Sequence, residues 1–140
     1  MKLLNFCLFV ILIVLLTQPR VVAQSVSPKY SVEGLSGSCE VNNRYIDELV
    51  GEAKKTKERI FVIAIPSQKE KYKINGERLG YALTVLTQIK RVDFKQVTAA
   101  TGIETTEKNG RVEFYLGSQL FLVSFAEKNK QICLLCCDTP

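Results

Sequence analysis

The chain has no histidine and no tryptophan among its 140 residues. Histidine is the side chain that most often serves as a general base, as a member of a hydrolytic triad and as a zinc ligand. Tryptophan offers the flat ring on which cations most readily stack. These absences weigh against an enzyme more than any residue present argues for one. We therefore expect a protein that acts by binding, without a cofactor.

The first 23 residues have the layout of a secretory signal peptide. Lys2 precedes an almost unbroken apolar run over residues 3–16, residues 17–20 interrupt it, and Ala23 ends the segment with a small side chain. The run is shorter than the roughly 20 apolar residues that a spanning helix needs. We expect cleavage after Ala23, export to the periplasm or the medium, and no stable membrane span afterwards. Retention as an anchor is the alternative.

The remaining chain has the length of one domain. Residues 24–38 are rich in Ser, Gly and Pro and are expected to form a flexible leader, with a weak strand near Lys29 as the alternative. Residues 39–140 would form the domain and its tail. Loss of Lys2 and Arg20 takes the formal net charge from +5 to +3. This mild excess predicts weak attraction to anionic surfaces and no nucleic-acid binding.

Hydrophobic spacing predicts the order of elements. Steps of three and four residues indicate helices, a β-branched run closed by proline indicates a buried strand, and two apolar runs around Gly117 indicate a hairpin. The predicted helices cover residues 40–56 and 77–89, and the predicted strands cover residues 60–65, 97–100, 112–116, 120–125 and, more weakly, 132–135.

This order predicts an α+β fold, in which two helices pack on a mixed sheet that ends in a hairpin, as a two-layer sandwich. The six-residue run Ile60–Ile65 shows no alternation, so we expect its strand to be covered on both faces. Asn75 and Gly76 are expected to separate the polar segment that follows from the second helix.

That polar segment carries Lys69, Lys71 and Lys73 at every second position. A solvated loop is the ordinary interpretation of such a charge run. The alternative is a row of cations at the end of the buried strand, facing an anionic partner.

The second predicted helix begins Arg78–Leu79 and continues with Ala82, Val85 and Leu86. It resembles the R-A-x-x-V-x-x-Y-L helix of the peptidoglycan-binding domain at the C-terminus of outer-membrane protein A. Residues 110–114, Gly–Arg–Val–Glu–Phe, are similar to a later strand of that family, and the likeness covers about residues 41–116.

The resemblance implies a bacterial cell-envelope protein that binds peptidoglycan or another envelope component. It makes Arg78 a candidate carboxylate binder, by a bidentate charge-assisted contact. The family's aspartate after the buried strand has no acidic counterpart in residues 65–68. The chain as a whole also looks like small secreted bacterial proteins.

Four cysteines follow the predicted signal peptide: Cys39, Cys133, Cys136 and Cys137. An even number in an exported domain predicts disulfide bonds. A Cys39–Cys133 bond would leave two adjacent cysteines to pair in a strained ring, so we expect Cys39 to bond Cys136 or Cys137 instead. Such a link closes most of the domain into one loop, worth about 4–5 kcal/mol in the chain-entropy treatment.

Two functional interpretations of the cysteines compete with this structural one. Cys133 and Cys136 have the C-x-x-C spacing of a thiol–disulfide oxidoreductase. Four cysteines also match the ligand number of a zinc site, although three crowded ligands and one remote ligand are not its usual arrangement. The favoured prediction is an exported binding or structural protein of the bacterial envelope, with the oxidoreductase as its alternative.

Overall fold

The computed structural model of the chain describes residues 27–32 and 38–135. The predicted signal peptide and most of the predicted leader lie outside these residues, as do Cys136 and Cys137. Two helices, α1 (Ser38–Thr56) and α2 (Tyr72–Thr84), precede a π-helical turn at Val85–Ile89. The strands are β1 (Tyr30–Val32), β2 (Ile60–Ile65), β3 (Val97–Thr101), β4 (Gly110–Leu116) and β5 (Gln119–Ala126).

The five strands form one mixed sheet in the order β1-β5-β4-β2-β3. The two outer pairs, β1 with β5 and β2 with β3, are parallel, and the two inner pairs are antiparallel. Side chains of both helices join those of the sheet in one hydrophobic core, to which α1 contributes Ile46, α2 contributes Ala82 and β4 contributes Phe114. The predicted α+β class, with two helices on a mixed sheet, is confirmed.

Strand β2 alternates in burial, which corrects the expectation that both of its faces are covered. Ile60, Val62 and Ala64 are fully enclosed beneath the helices, whereas Phe61 and Ile63 are only half-buried. The strand carries apolar residues on both faces, and the outer ones, Phe61 and Ile63, lie opposite Tyr115 and Glu113 of β4 on a face that no described helix covers.

Helix α2 begins at Tyr72, five residues before its predicted start. Asn75 and Gly76 lie inside the helix and do not precede it. Asn75 is enclosed, and its Nδ2 donates to the Ala64 carbonyl at 2.9 Å. Its side-chain amide therefore satisfies a backbone carbonyl near the end of β2, whereas the Asn–Gly pattern had indicated a turn.

Strand β1 shows that the predicted leader contributes to the domain. Tyr30 stacks on Tyr45 of α1 with ring centroids 4.0 Å apart, and its hydroxyl donates to Glu48 at 2.7 Å. This is the weak edge strand of the alternative interpretation. The described domain accordingly begins before Cys39.

The hairpin prediction is confirmed, and the predicted C-terminal strand is wrong. Strands β4 and β5 pair from Leu116 and Gln119 outward, and Gly117 has a φ of 56° in the turn between them. Such a φ favours glycine. Residues 132–135 form no strand, although Ile132 and Leu134 are buried in the core.

Candidate functional site

A buried ion pair lies at the carboxyl end of β2. Glu70 and Arg78 have fully enclosed side chains, and the guanidinium meets the carboxylate with two contacts of 2.8 Å. The pair is bidentate, which is the strongest geometry for this combination of groups. Gly110 lies so close that a β-carbon there would come within 2.6 Å of Glu70 Oε2.

The ion pair fastens three chain segments together. Arg78 donates to the carbonyls of Glu127 and Lys130, at 3.0 and 2.6 Å from Nη2. Glu70 accepts from the backbone amides of Ser67 and Asn129, at 2.9 and 2.6 Å. The loop after β2, the first residue of β4 and the turn after β5 therefore meet around one pair of charges.

These contacts keep Glu70 ionised. Burial opposes its charge, but the hydrogen bonds from Arg78, Ser67 and Asn129 outweigh burial and hold the pKa of Glu70 below its ordinary value. The charge of Arg78 is matched inside the protein. It is thus not available to an outside ligand.

The prediction that Arg78 binds an external carboxylate is accordingly corrected. Arg78 does bind a carboxylate, but that carboxylate is Glu70 of the same chain. Its solvent exposure is zero, and its donors are directed at Glu70 and at carbonyls of residues 127 and 130. No sequence pattern indicated this pairing, because Glu70 and Arg78 are eight positions apart and no regular element that joins them has that spacing.

Lysines surround the ion pair at the protein surface. Lys69, Lys71 and Lys73 of the predicted cationic row are all exposed here. The structure adds lysines from before β4 and after β5. We call this surface the basic end; its residues are Lys69, Lys71, Lys73, Lys108, Lys128 and Lys130.

Four of the six lysines have no carboxylate partner among the residues that the structure describes. Only Lys73 and Lys130 pair, with Glu77 at 3.5 Å and with Glu127 at 2.5 Å. A shallow groove of about 400 Å³ lies where β4 begins and β5 ends. It is lined by Lys108, Asn109, Glu127 and Lys128. The basic end thus combines uncompensated positive charge with a concave surface.

Sequence reasoning missed three of these lysines although part of the signal was present. In the hairpin, Gly110 pairs with Ala126, which brings Lys108 beside Lys128. The further pairing of Ile65 with Arg111 brings the loop after β2 to the same end. That pairing joins strands distant in sequence, and no local pattern indicated it.

A second polar cluster lies on the face of the sheet that carries no described helix. Glu113 of β4 accepts from Arg111 Nε at 2.7 Å and from the Tyr115 hydroxyl at 2.6 Å, and its register neighbours are Ile63 and Val123. Burial, followed by the hydrogen bond to Glu113, raises the pKa of Tyr115 to about 12. The cluster is internally satisfied and offers no free nucleophile or base.

The disulfide joins Cys39 to Cys133, with Cα atoms 4.9 Å apart. This corrects the expectation that Cys39 bonds Cys136 or Cys137. Ile132 and Leu134 point into the core, and Asn42 donates to the Cys133 carbonyl at 2.7 Å, so Cys133 is held against the start of α1. The predicted redox pair Cys133–Cys136 is therefore not the bond that Cys133 makes.

Within residues 27–32 and 38–135, no group of three or more acidic, cysteine or histidine side chains is arranged to hold a metal ion. No helix in that same part of the chain is long and apolar enough to cross a membrane. The chain matches no family model, no curated protein and no solved structure.

Proposed function

We propose that this protein is an exported, disulfide-linked binding domain of the bacterial cell envelope, and that its basic end binds an anionic partner such as cell-wall peptide. The observation that carries the proposal is the convergence of three lysine-bearing segments on the buried Glu70–Arg78 pair. Because this pair is buried and bidentate, it fixes the segments after β2 and after β5. The segment before β4 is tied to the first of these by a hydrogen bond from Gln68 N–H to the Glu107 carbonyl at 3.2 Å. Exposed charges on fixed backbone lose less entropy on binding than the same charges on a mobile loop.

The order of elements supports the envelope assignment only in part. As in the family that the sequence resembles, a helix that carries Arg78 follows a strand and precedes the strand at 110–116. The position expected to bind a cell-wall carboxylate is filled by Glu70. The proposal therefore places recognition on the lysines, with Arg78 as the residue that positions them.

The experiment is retention of the purified protein by insoluble peptidoglycan at rising salt. We expect retention that weakens with ionic strength, because the contacts are between exposed charges. Replacing Lys71, Lys108 and Lys128 by Gln should remove it. Lys69 is left unchanged because its φ of 55° makes most substitutions there a backbone change as well.

A matched control removes the same charge from the opposite end of β2. Lys54, Lys55 and Lys57 are exposed at the end of α1, and replacing the first two by Gln and Lys57, whose φ is 64°, by Asn lowers the net charge equally. The proposal requires that this control retain binding. Equal loss in both triple variants would show attraction by net charge alone, and absence of retention in the native protein would refute cell-wall binding.

Thiol–disulfide exchange remains a second candidate, through a pair other than the predicted one. Cys39 lies in the first turn of α1, where a helix N-terminus stabilises a thiolate, and both cysteines are half-buried. A substrate dithiol would be oxidised to its disulfide while Cys39–Cys133 gains two electrons and two protons. Ready reduction of this bond by dilute dithiothreitol, with the fold intact, would favour this candidate over a structural disulfide.

A further inference from the structure

The outer edge of β3 has no partner strand in the described part of the chain. Strand β3 is the last in the sheet and pairs only with β2. Gly102, directly after it, donates its N–H inward to the Ala64 carbonyl at 2.8 Å. Because backbone direction alternates along a strand, Val97, Ala99 and Thr101 direct their C=O groups outward, as Ala99 and Thr101 do their N–H groups. The Val97 N–H donates to the Phe94 carbonyl instead.

This edge lacks the features that usually protect an exposed strand. Natural edge strands are shielded by lysines, prolines, bulges or a covering element. The sequence Val97–Thr101 has no charge and no proline, and its register with β2 is unbroken. Its side chains are small, so the backbone of another strand can approach closely.

The flanks of β3 are complementary to each other. Phe94 before the strand is 72% exposed and Ile103 after it is 89% exposed, so each flank leaves a large apolar side chain in contact with water. Lys95 and Glu104 are exposed beside them and carry opposite charges. A strand laid antiparallel against a second copy of itself would bring the start of each copy to the end of the other.

We propose that β3 pairs with β3 of a second copy of this chain, antiparallel, about a twofold axis at Ala99. Ala99 would exchange both backbone hydrogen bonds with its counterpart, and Val97 would face Thr101 of the other copy. Phe94 would then lie one position from Ile103, and Lys95 one position from Glu104, across the axis, within reach of these long side chains. The two sheets become one continuous sheet, and the basic ends remain free.

The charge pair provides the test, measured as the dimer dissociation constant by sedimentation equilibrium. Lys95→Glu and Glu104→Lys should each weaken the native dimer, by about tenfold, because each places like charges together. The double variant restores opposite charges and should return to within about threefold of the native value. Lys54→Glu, an equal charge change far from β3, should leave the constant unchanged.

A backbone variant tests the hydrogen bonds separately. Ala99→Pro removes an outward N–H that no described group accepts from, so the monomer should keep its circular dichroism spectrum and lose the dimer. If this variant fails to fold, the charge-swap series decides alone. A native protein that stays monomeric at high concentration, or a dimer indifferent to both charge reversals, would overturn the proposal.

Discussion

Arg78 and Glu70 face each other through two hydrogen bonds of 2.8 Å in a site that excludes solvent from both side chains. Each charge is neutralised by the other, and the pair also bonds to backbone groups of the loop after β2 and of the turn after β5. The pair is therefore the structural centre of the basic end.

Removing one member of the pair should be strongly destabilising. Arg78→Ala leaves Glu70 buried without its partner and frees the carbonyls of Glu127 and Lys130, so we expect a loss of about 3–5 kcal/mol in the free energy of unfolding. Urea denaturation measures it. A double replacement, Arg78→Met with Glu70→Leu, should cost less than the single change. A single-variant loss below about 1 kcal/mol would contradict the role assigned to the pair.

Gly110→Ala should disrupt the same pair by sterics alone. The new methyl group would overlap Arg78 Nη1 and lie 2.6 Å from Glu70 Oε2, and neither enclosed side chain has room to withdraw. We expect a loss comparable to other overpacked cores, about 1–3 kcal/mol. The control is Gly80→Ala, where nothing lies within 4 Å and helix propensity predicts a gain of up to about 1 kcal/mol.

Acid should lower the free energy of unfolding because it protonates Glu70. Its pKa is lower in the folded state than in the unfolded chain, so its contribution is present above the unfolded pKa and is lost as pH falls through the folded one. Unfolding free energies measured from pH 6 down to pH 2 should decrease. Glu70→Gln should be less stable at pH 6 and show a shallower decrease. An unchanged slope would assign the acid sensitivity to other groups.

Tyr115 should titrate about two units above an ordinary tyrosine. Since the pKa of about 12 belongs to the folded state, its contribution to stability is complete below pH 10 and is lost as pH rises through 12. The chain has five tyrosines and no tryptophan, so absorbance at the tyrosinate band reports the titration cleanly. Tyr115→Phe should remove the tyrosine titration step that occurs at the highest pH, and Glu113→Gln should move that step to lower pH.

The disulfide should be found between Cys39 and Cys133 when the unreduced protein is digested and the linked peptides are identified by mass. The bond spans a sequence separation of 94 residues, for which the chain-entropy treatment gives about 4–5 kcal/mol. Cys39→Ser should lower the free energy of unfolding by an amount of that order. Peptides linking Cys39 to Cys136 or Cys137 would contradict the observed connectivity.

Local sequence patterns predicted the elements that are determined by residues within a single segment. The stripe of Ile46, Leu49 and Val50 specified α1, and the apolar runs around Gly117 specified the hairpin, because each depends on spacing within one segment. Residue spacing did not indicate the Cys39–Cys133 bond, because the two cysteines are 94 positions apart and residues 132–135 form no regular element.

The basic end depends on relations that no single segment carries. The row of Lys69, Lys71 and Lys73 is visible in the sequence. Lys108 and Lys128 are brought near it only by strand pairing across the sheet. Arg78 was identified as a carboxylate binder, but the carboxylate proved to be internal. A buried ion pair between a loop and a helix can be recognised only from the tertiary structure.

The most direct test of the account is a nuclear magnetic resonance titration of the protein with its lysines reductively methylated with carbon-13. Soluble cell-wall peptide is the titrant, and the assigned lysine signals are followed individually. Signals of the six lysines at the basic end should shift together and saturate, while those of Lys54, Lys55 and Lys57 stay in place. Uniform shifts over all lysines, or none at saturating peptide, would contradict the assignment of the basic end as the binding surface.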